Sequence, residues 1–230
     1  MSVSDGFHPP FEEYLEAAFS LAEEGTPVIQ ARLAERLGRS APSVSEMLER
    51  LETEGLIRRS GRQVLLTGAG LEMAERVVRR HRLAERLLVD VIGLDWDKAH
   101  LEAGRWEHVI SDEVEERLVE LLGNPTTCPH GNPIPGSGAG NDPRQRCLSE
   151  VEAGERVRLA RITEEVEIDT PSLSYLASHR LVPGAMATVQ ARAPDGTLTL
   201  DVDGEAVALG ASMCSRLFVT SEPEHERVLR

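Results

Sequence analysis

The sequence predicts a mainly α-helical chain with a small β domain at its C-terminal end. Apolar residues recur at three- and four-residue spacing through most of the first 122 positions, which is the period of amphipathic helices. Beyond residue 143 short segments alternate apolar and polar residues, which is the period of β-strands. With 230 residues, 40% of them hydrophobic, the chain is long enough for two or three domains with true cores.

Three helices are predicted at the N-terminal end. The first runs from Pro10 to about Gly25, and a shorter second helix follows Pro27 and ends at Gly38. The third begins after Ser40, a typical N-cap residue, with Pro42 in its first turn. Only a short turn separates the second helix from the third.

A basic hairpin is predicted next, from the segment LIRRSGRQVLLT with a turn at Ser60-Gly61. Three helices followed by such a hairpin are the order of a winged helix-turn-helix. Residues 30–63 carry a formal charge of +2, whereas the rest of the chain carries −16. A locally basic head on an acidic body is what a sequence-specific DNA-binding protein needs.

The remaining elements are three helices and six short strands. The helices are predicted at about 68–92, 95–110 and 111–122, the last one capped by Ser111. A segment rich in Gly, Pro, Asn and Ser follows at 123–143, and it indicates a linker or an irregular crossing. The strands are predicted at VRLARI, VEI, ATVQA, LTLDV, AVAL and LFV, and together they suggest a small SH3-like β-barrel.

Some classes of protein are disfavoured by the sequence. No apolar run approaches the roughly 18 residues of a membrane span, and the N-terminus does not resemble a signal peptide, so a cytoplasmic protein without membrane contact is predicted. Three widely spaced cysteines fit a reducing compartment. We find no nucleophile motif, phosphate-binding loop or HExxH pair, and an enzyme is not expected.

Histidine and carboxylate residues recur together on the predicted helices. His81 and Glu85 are four residues apart, and the set His100, Gly104, Glu107 and His108 follows one stripe of the predicted helix 95–110. On the first helix Glu13 and Glu16 are three apart. Burying such groups requires a compensating charge, and the donor types suit Mn²⁺, Fe²⁺, Co²⁺ or Zn²⁺. Cys128 and His130 lie in a proline-rich segment and are interpreted as structural.

Four segments resemble a known family. They are RLAERL with APSVS within 32–45, HRLAERLL at 81–88, RWEHVISDEVEERLV at 105–119 and GNPIPG at 131–136. They are similar to the diphtheria toxin repressor family of metal-dependent transcriptional regulators, which has iron- and manganese-dependent branches. The resemblance implies a winged-helix DNA-binding domain at 1–73, a helical metal-binding and dimerisation domain at 74–140, a linker at 141–152 and an SH3-like domain at 153–230.

The resemblance also implies two metal sites that bind Mn²⁺ or Fe²⁺. An ancillary site would use His81, Glu85 and His100, with Asp169, and less strongly Ser172, reaching it from the third domain. A primary site would use Glu107 and His108 with positions 13 and 104, where Gly104 offers only its backbone carbonyl. The carboxylates of Glu13 and Glu16 resemble the pair that the manganese branch carries on its first helix.

The expected function is a homodimeric repressor of metal homeostasis that binds double-stranded operator DNA when metal is bound. The alternative is a winged-helix regulator that metal does not control. Hydroxyl groups and Pro42 at the start of the third helix would meet bases or phosphates, Glu46 would accept a hydrogen bond from cytosine, and arginines would contact phosphates. The candidate DNA-binding residues are Arg32, Arg39, Ser40, Pro42, Ser43, Ser45, Glu46, Arg50 and Arg62.

Overall fold

A computed structural model of the chain describes residues 10–140 and 142–221. The ends of the two predicted terminal domains, and Asn141 at the start of the predicted linker, lie outside these residues. The described residues divide into two compact units. The first comprises the residues up to Leu87 with Leu101–Pro125 and Ile134–Gly138, and the second comprises Leu88–His100, Thr126–Pro133 and the residues from Ala139 onwards.

The first unit begins with the predicted winged helix-turn-helix. Its elements are α1 (Pro10–Glu23), α2 (Gln30–Leu37), α3 (Ala41–Thr53) and the antiparallel strands β1 (Ile57–Ser60) and β2 (Gln63–Leu66). This order confirms the arrangement predicted from helical spacing and the Ser-Gly turn. The chain turns tightly between the two strands at Gly61, whose φ of +59° is available to glycine at little cost.

Capping and burial explain why α1 to α3 form where they do. The Ser40 side chain accepts a hydrogen bond from the backbone N–H of Ser43, as predicted for an N-cap. Gly38 ends α2 in the left-handed conformation. The apolar faces of the three helices meet in one core, whose buried members include Tyr14, Leu15, Ala18, Leu21, Leu33, Val44, Leu48 and Leu51.

Three α-helices, with a π-helical segment and a 3₁₀ turn between the first two, follow the hairpin. The helix α4 (Gly68–Arg86) continues into a π-helical segment, Leu87–Ile92, and a 3₁₀ turn at Trp96–Lys98 precedes α5 (Ala99–Ala103). The helix α6 (Asp112–Leu121) starts at Ser111, whose side chain accepts from the N–H of Val114, as predicted.

The helix predicted at 95–110 is wrong over its second half, because α5 ends at Ala103. Glycine at position 104 favours helix poorly, and the N–H groups of Arg105 and Trp106 bond to carbonyls three residues earlier, which is turn geometry. His100, Gly104, Glu107 and His108 therefore do not share one helical stripe.

The second unit contains a six-stranded antiparallel sheet in the order β3-β8-β4-β5-β6-β7. Its strands are β3 (Arg146–Cys147), β4 (Arg156–Ile162), β5 (Met186–Arg192), β6 (Leu198–Val202), β7 (Glu205–Leu209) and β8 (Leu217–Ser221). Alternate residues of β4 to β8 enter a core that includes Val157, Leu159, Val189, Leu198, Leu200 and Val207. The predicted small β domain is confirmed.

One predicted strand of this domain is a helix. The segment VEI at 166–168 overlaps α7 (Glu164–Glu167), and α8 (Thr170–Ser178) follows it closely, whereas the short helix α9 (Ala211–Cys214) precedes β8. The sixth strand is instead β3, whose two residues carry too little alternation to be recognised. Three glutamates in the first turn of α7 suit a helix N-terminus, and this outweighs the β propensity of Val166.

Across the described residues, every helix falls short of the length and apolar character that a bilayer crossing demands.

Candidate metal centre and DNA interface

Six ionisable side chains lie together inside the first unit, and we call this group the acid–imidazole cluster. Two come from α1, two from α4 and two from the turn after α5. They are Glu12, Glu16, His81, Glu85, Glu107 and His108.

His81 is the centre of the cluster. Its Nδ1 is hydrogen-bonded to the Glu107 carboxylate, and its Nε2 lies 3.2 Å from Oε1 of Glu85. Glu16, His81 and Glu107 each offer a ligand atom within 4.8 Å of the other two. His81 and Glu107 are buried and Glu85 is fully buried, so these charges are largely removed from water.

His108 extends the cluster toward the start of α1. Its Nδ1 lies 2.7 Å from Oε2 of Glu12, and its Nε2 lies 3.0 Å from Oε1 of Glu107. The imidazole is 1% exposed although its backbone is at the surface. The Glu107 carboxylate therefore lies between two imidazoles.

Local structure explains how the sequence brings these groups together. Glu12 and Glu16 are four residues apart on α1, as are His81 and Glu85 on α4, so each pair lies on one helix face. The turn that follows α5 supplies Glu107 and His108 from consecutive positions, and their side chains meet there. In a continuous helix these two side chains would lie about 100° apart around the axis.

The cluster shifts the pKa values of its members. Burial lowers the pKa of His81, but the charges of Glu85 and Glu107 outweigh it and raise that pKa well above its usual value. Burial raises the pKa of Glu107, yet His81 and His108 lower it to about 2. Burial likewise lowers the pKa of His108, but Glu107 and Glu12 outweigh it and raise that pKa above its usual value.

The donor set fits a divalent transition cation. Four carboxylates and two imidazoles supply only oxygen and nitrogen donors, and even with both imidazoles protonated the six groups would carry a net charge of −2. A buried excess of negative charge is costly unless a cation balances it. The group therefore has both the chemistry and the charge of a metal centre.

The structure distinguishes between neighbouring glutamates of α1. The carboxylate of Glu13 lies 3.8 Å from the Arg39 guanidinium, whereas Glu12 and Glu16 face His108 and the His81–Glu107 pair. Sequence reasoning selected Glu13 and Glu16 and missed Glu12. The signal for Glu12 was its four-residue spacing from Glu16. Gly104 lies in the turn after α5 and has no side chain to contribute.

In the second unit the predicted residue His100 lies beside a different acid from the one expected. Its Nδ1 is 3.0 Å from Oε2 of Glu167, a buried residue at the end of α7. Asp169 is exposed, and its carboxylate accepts a hydrogen bond from the hydroxyl of Ser172. Glu167 was missed because its segment was interpreted as a strand.

Most of the predicted DNA-binding residues of the winged helix are exposed. Ser40, Pro42, Ser43 and Glu46 lie exposed at the N-terminal end of α3, and Ser45 is half-buried. The arginines there differ in their partners. Arg32 pairs with Glu35, Arg39 with Glu13, and Arg50 lies over the Phe11 ring, whereas Arg62 is exposed at the hairpin turn.

Two other arginines of the basic segment are tied within the domain. Arg36 and Glu24 form a nearly buried ion pair, with both side chains 7% exposed. Arg59 of β1 pairs with Glu52 of α3. The exposed basic residues among the predicted DNA-binding set are therefore Arg32, Arg39, Arg50 and Arg62.

Comparison with known proteins gives the family. Residues 7–65 match the model described as "Iron dependent repressor, N-terminal DNA binding domain", and residues 67–136 match "Iron dependent repressor, metal binding and dimerisation domain". The iron-dependent repressor IdeR of Mycobacterium tuberculosis is 46% identical over 204 residues, covering 84% of this chain and 88% of that protein. The chain belongs to the iron-dependent repressor family.

A second relative and a match to the C-terminal domain agree with this family assignment. The diphtheria toxin repressor of Corynebacterium diphtheriae is 42% identical over 207 residues, covering 86% of this chain and 91% of that protein. Residues 146–221 match the FeoA domain, which occupies the region of the predicted SH3-like domain. The resemblance stated from the sequence is confirmed.

Solved structures of iron-dependent repressor relatives share the fold. A manganese-dependent transcriptional repressor in complex with manganese matches with a TM-score of 0.83 and 33% identity, covering 92% of this chain and 100% of that one. The IdeR of T. acidophilum matches with a TM-score of 0.75 and 26% identity, covering 96% and 100%.

Proposed function

We propose that this chain is a metal-dependent transcriptional repressor that binds double-stranded operator DNA as a homodimer when it holds Mn²⁺ or Fe²⁺. The observation that carries the proposal is the acid–imidazole cluster, which gathers four carboxylates and two imidazoles from three segments of the first unit. The names of the iron- and manganese-dependent relatives support the choice of metal. Control of metal homeostasis is the role that follows.

The helix α1 can couple the cluster to DNA binding, because its two faces belong to different parts of the first unit. Leu15 and Ala18 are buried in the core of the winged helix, together with residues of α2 and α3. Glu12 and Glu16 reach His108 and the His81–Glu107 pair instead. A change in how firmly α1 is held against α4 therefore changes the setting of α3.

Glu12, Glu16, His81, Glu107 and His108 are the residues that would hold the cation. When bound, it would supply the positive charge that lets these carboxylates lie together and would join α1 to α4. The set contains no thiolate or thioether, and oxygen and imidazole donors suit Mn²⁺ and Fe²⁺. Selectivity between the two then depends on metal supply as well as on the ligands.

In the proposed homodimer two copies of α3 enter successive major grooves. Such grooves recur about every 34 Å along B-DNA, so a small rotation of each winged helix changes whether both copies fit. The metal and the operator would consequently favour each other's binding. The role is regulatory and not catalytic, and we place the protein in the cytoplasm with its DNA.

The proposed domain boundaries separate DNA binding from metal binding and dimerisation. We assign DNA binding to residues 1–73, metal binding and dimerisation to 74–140, and the SH3-like domain to 153–230 after a linker at 141–152. The matched family models support these assignments, since their limits fall near the same places.

Metal titration of DNA binding tests the proposal. Duplexes selected from a randomised library in the presence of Mn²⁺ would serve as the probe, and fluorescence anisotropy would report affinity with Mn²⁺, with anaerobic Fe²⁺, and with a chelator. We expect either metal to tighten binding by roughly 5–150-fold, the usual range of such coupling. Equal affinity in chelator would contradict metal control and leave a regulator that metal does not gate.

Substitution of Glu46 tests the proposed reading surface. Its exposed carboxylate on α3 can accept from cytosine but repels phosphate, whereas glutamine can bond to adenine in a bidentate manner. We expect Glu46→Gln to bind non-cognate duplex more tightly and to exchange cytosine for adenine at one position of each half-site. Repeating the library selection with both proteins measures this, and an unchanged consensus would place Glu46 outside the groove.

A further inference from the structure

The hairpin formed by β1 and β2 carries more positive charge than the candidate DNA-binding set uses. Residues 55–71 include three arginines, Arg58, Arg59 and Arg62, and no acidic residue. Only Arg62 belongs to the candidate set. A segment of this composition attracts a polyanion unless its arginines are neutralised within the protein, so their surroundings decide which of them can bind one.

The two strands direct alternate residues to opposite faces of the hairpin. Ile57 and Val64 are buried in the core of the winged helix, and Arg59 shares their face because it lies two residues after Ile57 and opposite Val64. Arg58 lies opposite Leu65 on the other face, which we call the outer face, and it is exposed there. The guanidinium of Arg58 is therefore directed away from the core.

Only one of these two neighbouring arginines is neutralised by the winged helix. The backbone N–H of Arg59 donates to Oε1 of Glu52 on α3, and its Nε donates to Oε2 of the same carboxylate at 2.8 Å. Within residues 10–140 and 142–221, the side chains of Arg58 and Arg62 form neither an ion pair nor a hydrogen bond. Their charge is consequently available to a ligand.

The hairpin is fastened along both strands, so its arginines keep a fixed place beside α3. The Thr67 hydroxyl is hydrogen-bonded to the carbonyl oxygens of Gly55 and Leu56, and this closes the open end of the hairpin. The N–H of Val64 in β2 donates to the carbonyl oxygen of Val28, which precedes α2. A cation on a rigid support loses less conformational freedom on binding than one on a mobile loop.

The attachment to α3 also separates Arg58 from the residues that would meet bases. The reading end of α3 begins at its N-cap, Ser40, whereas the hairpin is bonded to Glu52 in the last turn of the helix. These two positions are about 18 Å apart along the helix axis. Arg58 therefore meets a different part of the duplex from the bases that α3 reads.

We propose that the outer face of the hairpin is a second DNA contact of each winged helix, in which Arg58 binds a backbone phosphate outside the base pairs that α3 reads. Ser60 and Gln63, which are exposed beside the turn, add a hydroxyl and an amide that suit phosphate oxygens. The inference rests on the proposed function for its partner, DNA, but it does not depend on control by metal.

The salt dependence of DNA binding tests the contact. Fluorescence anisotropy gives the Kd for a library-selected duplex with long flanks, at constant Mn²⁺ and increasing KCl. Each neutralised phosphate adds about 0.9 to the slope of log Kd against log salt. We expect Arg58→Gln to lower this slope by about 1.8, for the two copies in a dimer, and to weaken binding to every duplex alike. Arg58→Lys should keep most of the slope because it keeps the charge.

Arg180→Gln is the matched control for net charge. It removes one exposed arginine from the second unit, and we expect the salt slope to stay at the parent value. Failure of the parent to bind any duplex would contradict this proposal and the proposed function together. A parent-like slope in Arg58→Gln, with DNA binding by the parent intact, would overturn this proposal alone.

Ethylation interference locates the contacted phosphate. Parent and Arg58→Gln are each mixed with sparsely ethylated duplex, and the bound and free fractions are compared at every phosphate. We expect one phosphate in each half-site, outside the base pairs fixed by the library selection, whose ethylation weakens binding of the parent but not of Arg58→Gln. Identical interference patterns for the two proteins would show that Arg58 contacts no phosphate and would contradict the proposal.

Discussion

Replacement of Glu16 by glutamine is expected to lower the Mn²⁺ affinity of the protein by roughly 100-fold and to abolish the metal dependence of DNA binding. Glutamine keeps the size of the side chain but removes a negative charge from a group that also contains His81 and Glu107. Equilibrium dialysis measures the metal affinity and fluorescence anisotropy measures DNA binding. Apo-protein affinity for DNA should stay near that of the parent, since Glu16 is not one of the residues of α1 that form the winged-helix core.

Two glutamates provide matched controls for this result. Glu72→Gln changes an exposed residue of α4, with a side chain 78% exposed, and should leave metal affinity unchanged. Glu13→Gln separates the two interpretations of α1, because the sequence selected Glu13 whereas the structure pairs it with Arg39. Parent-like Mn²⁺ affinity in Glu16→Gln would remove the acid–imidazole cluster as the sensor.

Replacement of Gly70 by alanine is expected to destabilise the first unit by about 2–4 kcal/mol. An alanine inside a helix normally stabilises by about 1 kcal/mol relative to glycine. A loss of stability in Gly70→Ala would therefore indicate a steric clash at this position. A Cβ at position 70 would lie 1.9 Å from the backbone oxygen of Leu56. That oxygen is held in place by hydrogen bonds from the backbone N–H and the hydroxyl of Thr67. Urea unfolding measures the effect.

Gly68→Ala is the control for Gly70→Ala. Gly68 lies in the same first turn of α4, and a Cβ there would meet no atom within 4 Å. We expect its free energy of unfolding to equal or slightly exceed that of the parent. If both substitutions had the same effect, the close approach of α4 to Leu56 would not be the cause.

The sequence predicted the winged helix well because local rules and tertiary packing agree there. Ser40, Gly38 and the Gly61 turn each have one dominant conformational preference, and apolar spacing identifies the buried face of each helix. Choosing ligands on α1 required more, since Glu12, Glu13 and Glu16 all lie within two turns. Neighbouring residues are separated by about 100° around a helix, and only the packing of α1 decides which carboxylates meet His81 and His108.

The second unit was less predictable because its informative elements are short. The α7 helix has four residues, and the Val166–Ile168 pattern within it resembles a strand. That interpretation hid Glu167 and directed attention to the exposed Asp169. The two-residue strand β3 has no period to detect, and its place in the sheet is fixed by pairing with β8.

The early end of α5 at Ala103 changes how Glu107 and His108 are presented in the candidate site. A continuous helix through 95–110 aligns Gly104 with Glu107 and His108, and this alignment guided the predicted primary site. The turn replaces that stripe, yet it still delivers Glu107 to His81 and His108 to Glu12. Glu107 and His108 therefore still meet residues of α1 and α4, although the geometry that presents them differs from the predicted one.

The two faces of α1 have an evolutionary consequence. This helix of fourteen residues contributes to the core of the winged helix and, in the proposed function, also to the response to metal. A lineage that retunes its metal threshold by altering α1 also alters thermal tolerance, and recovery then requires compensating substitutions in the partners of that helix. Divergence in responsiveness should accordingly appear as correlated change between α1 and the segments it touches, while the reading surface of α3 remains free to adopt new operators.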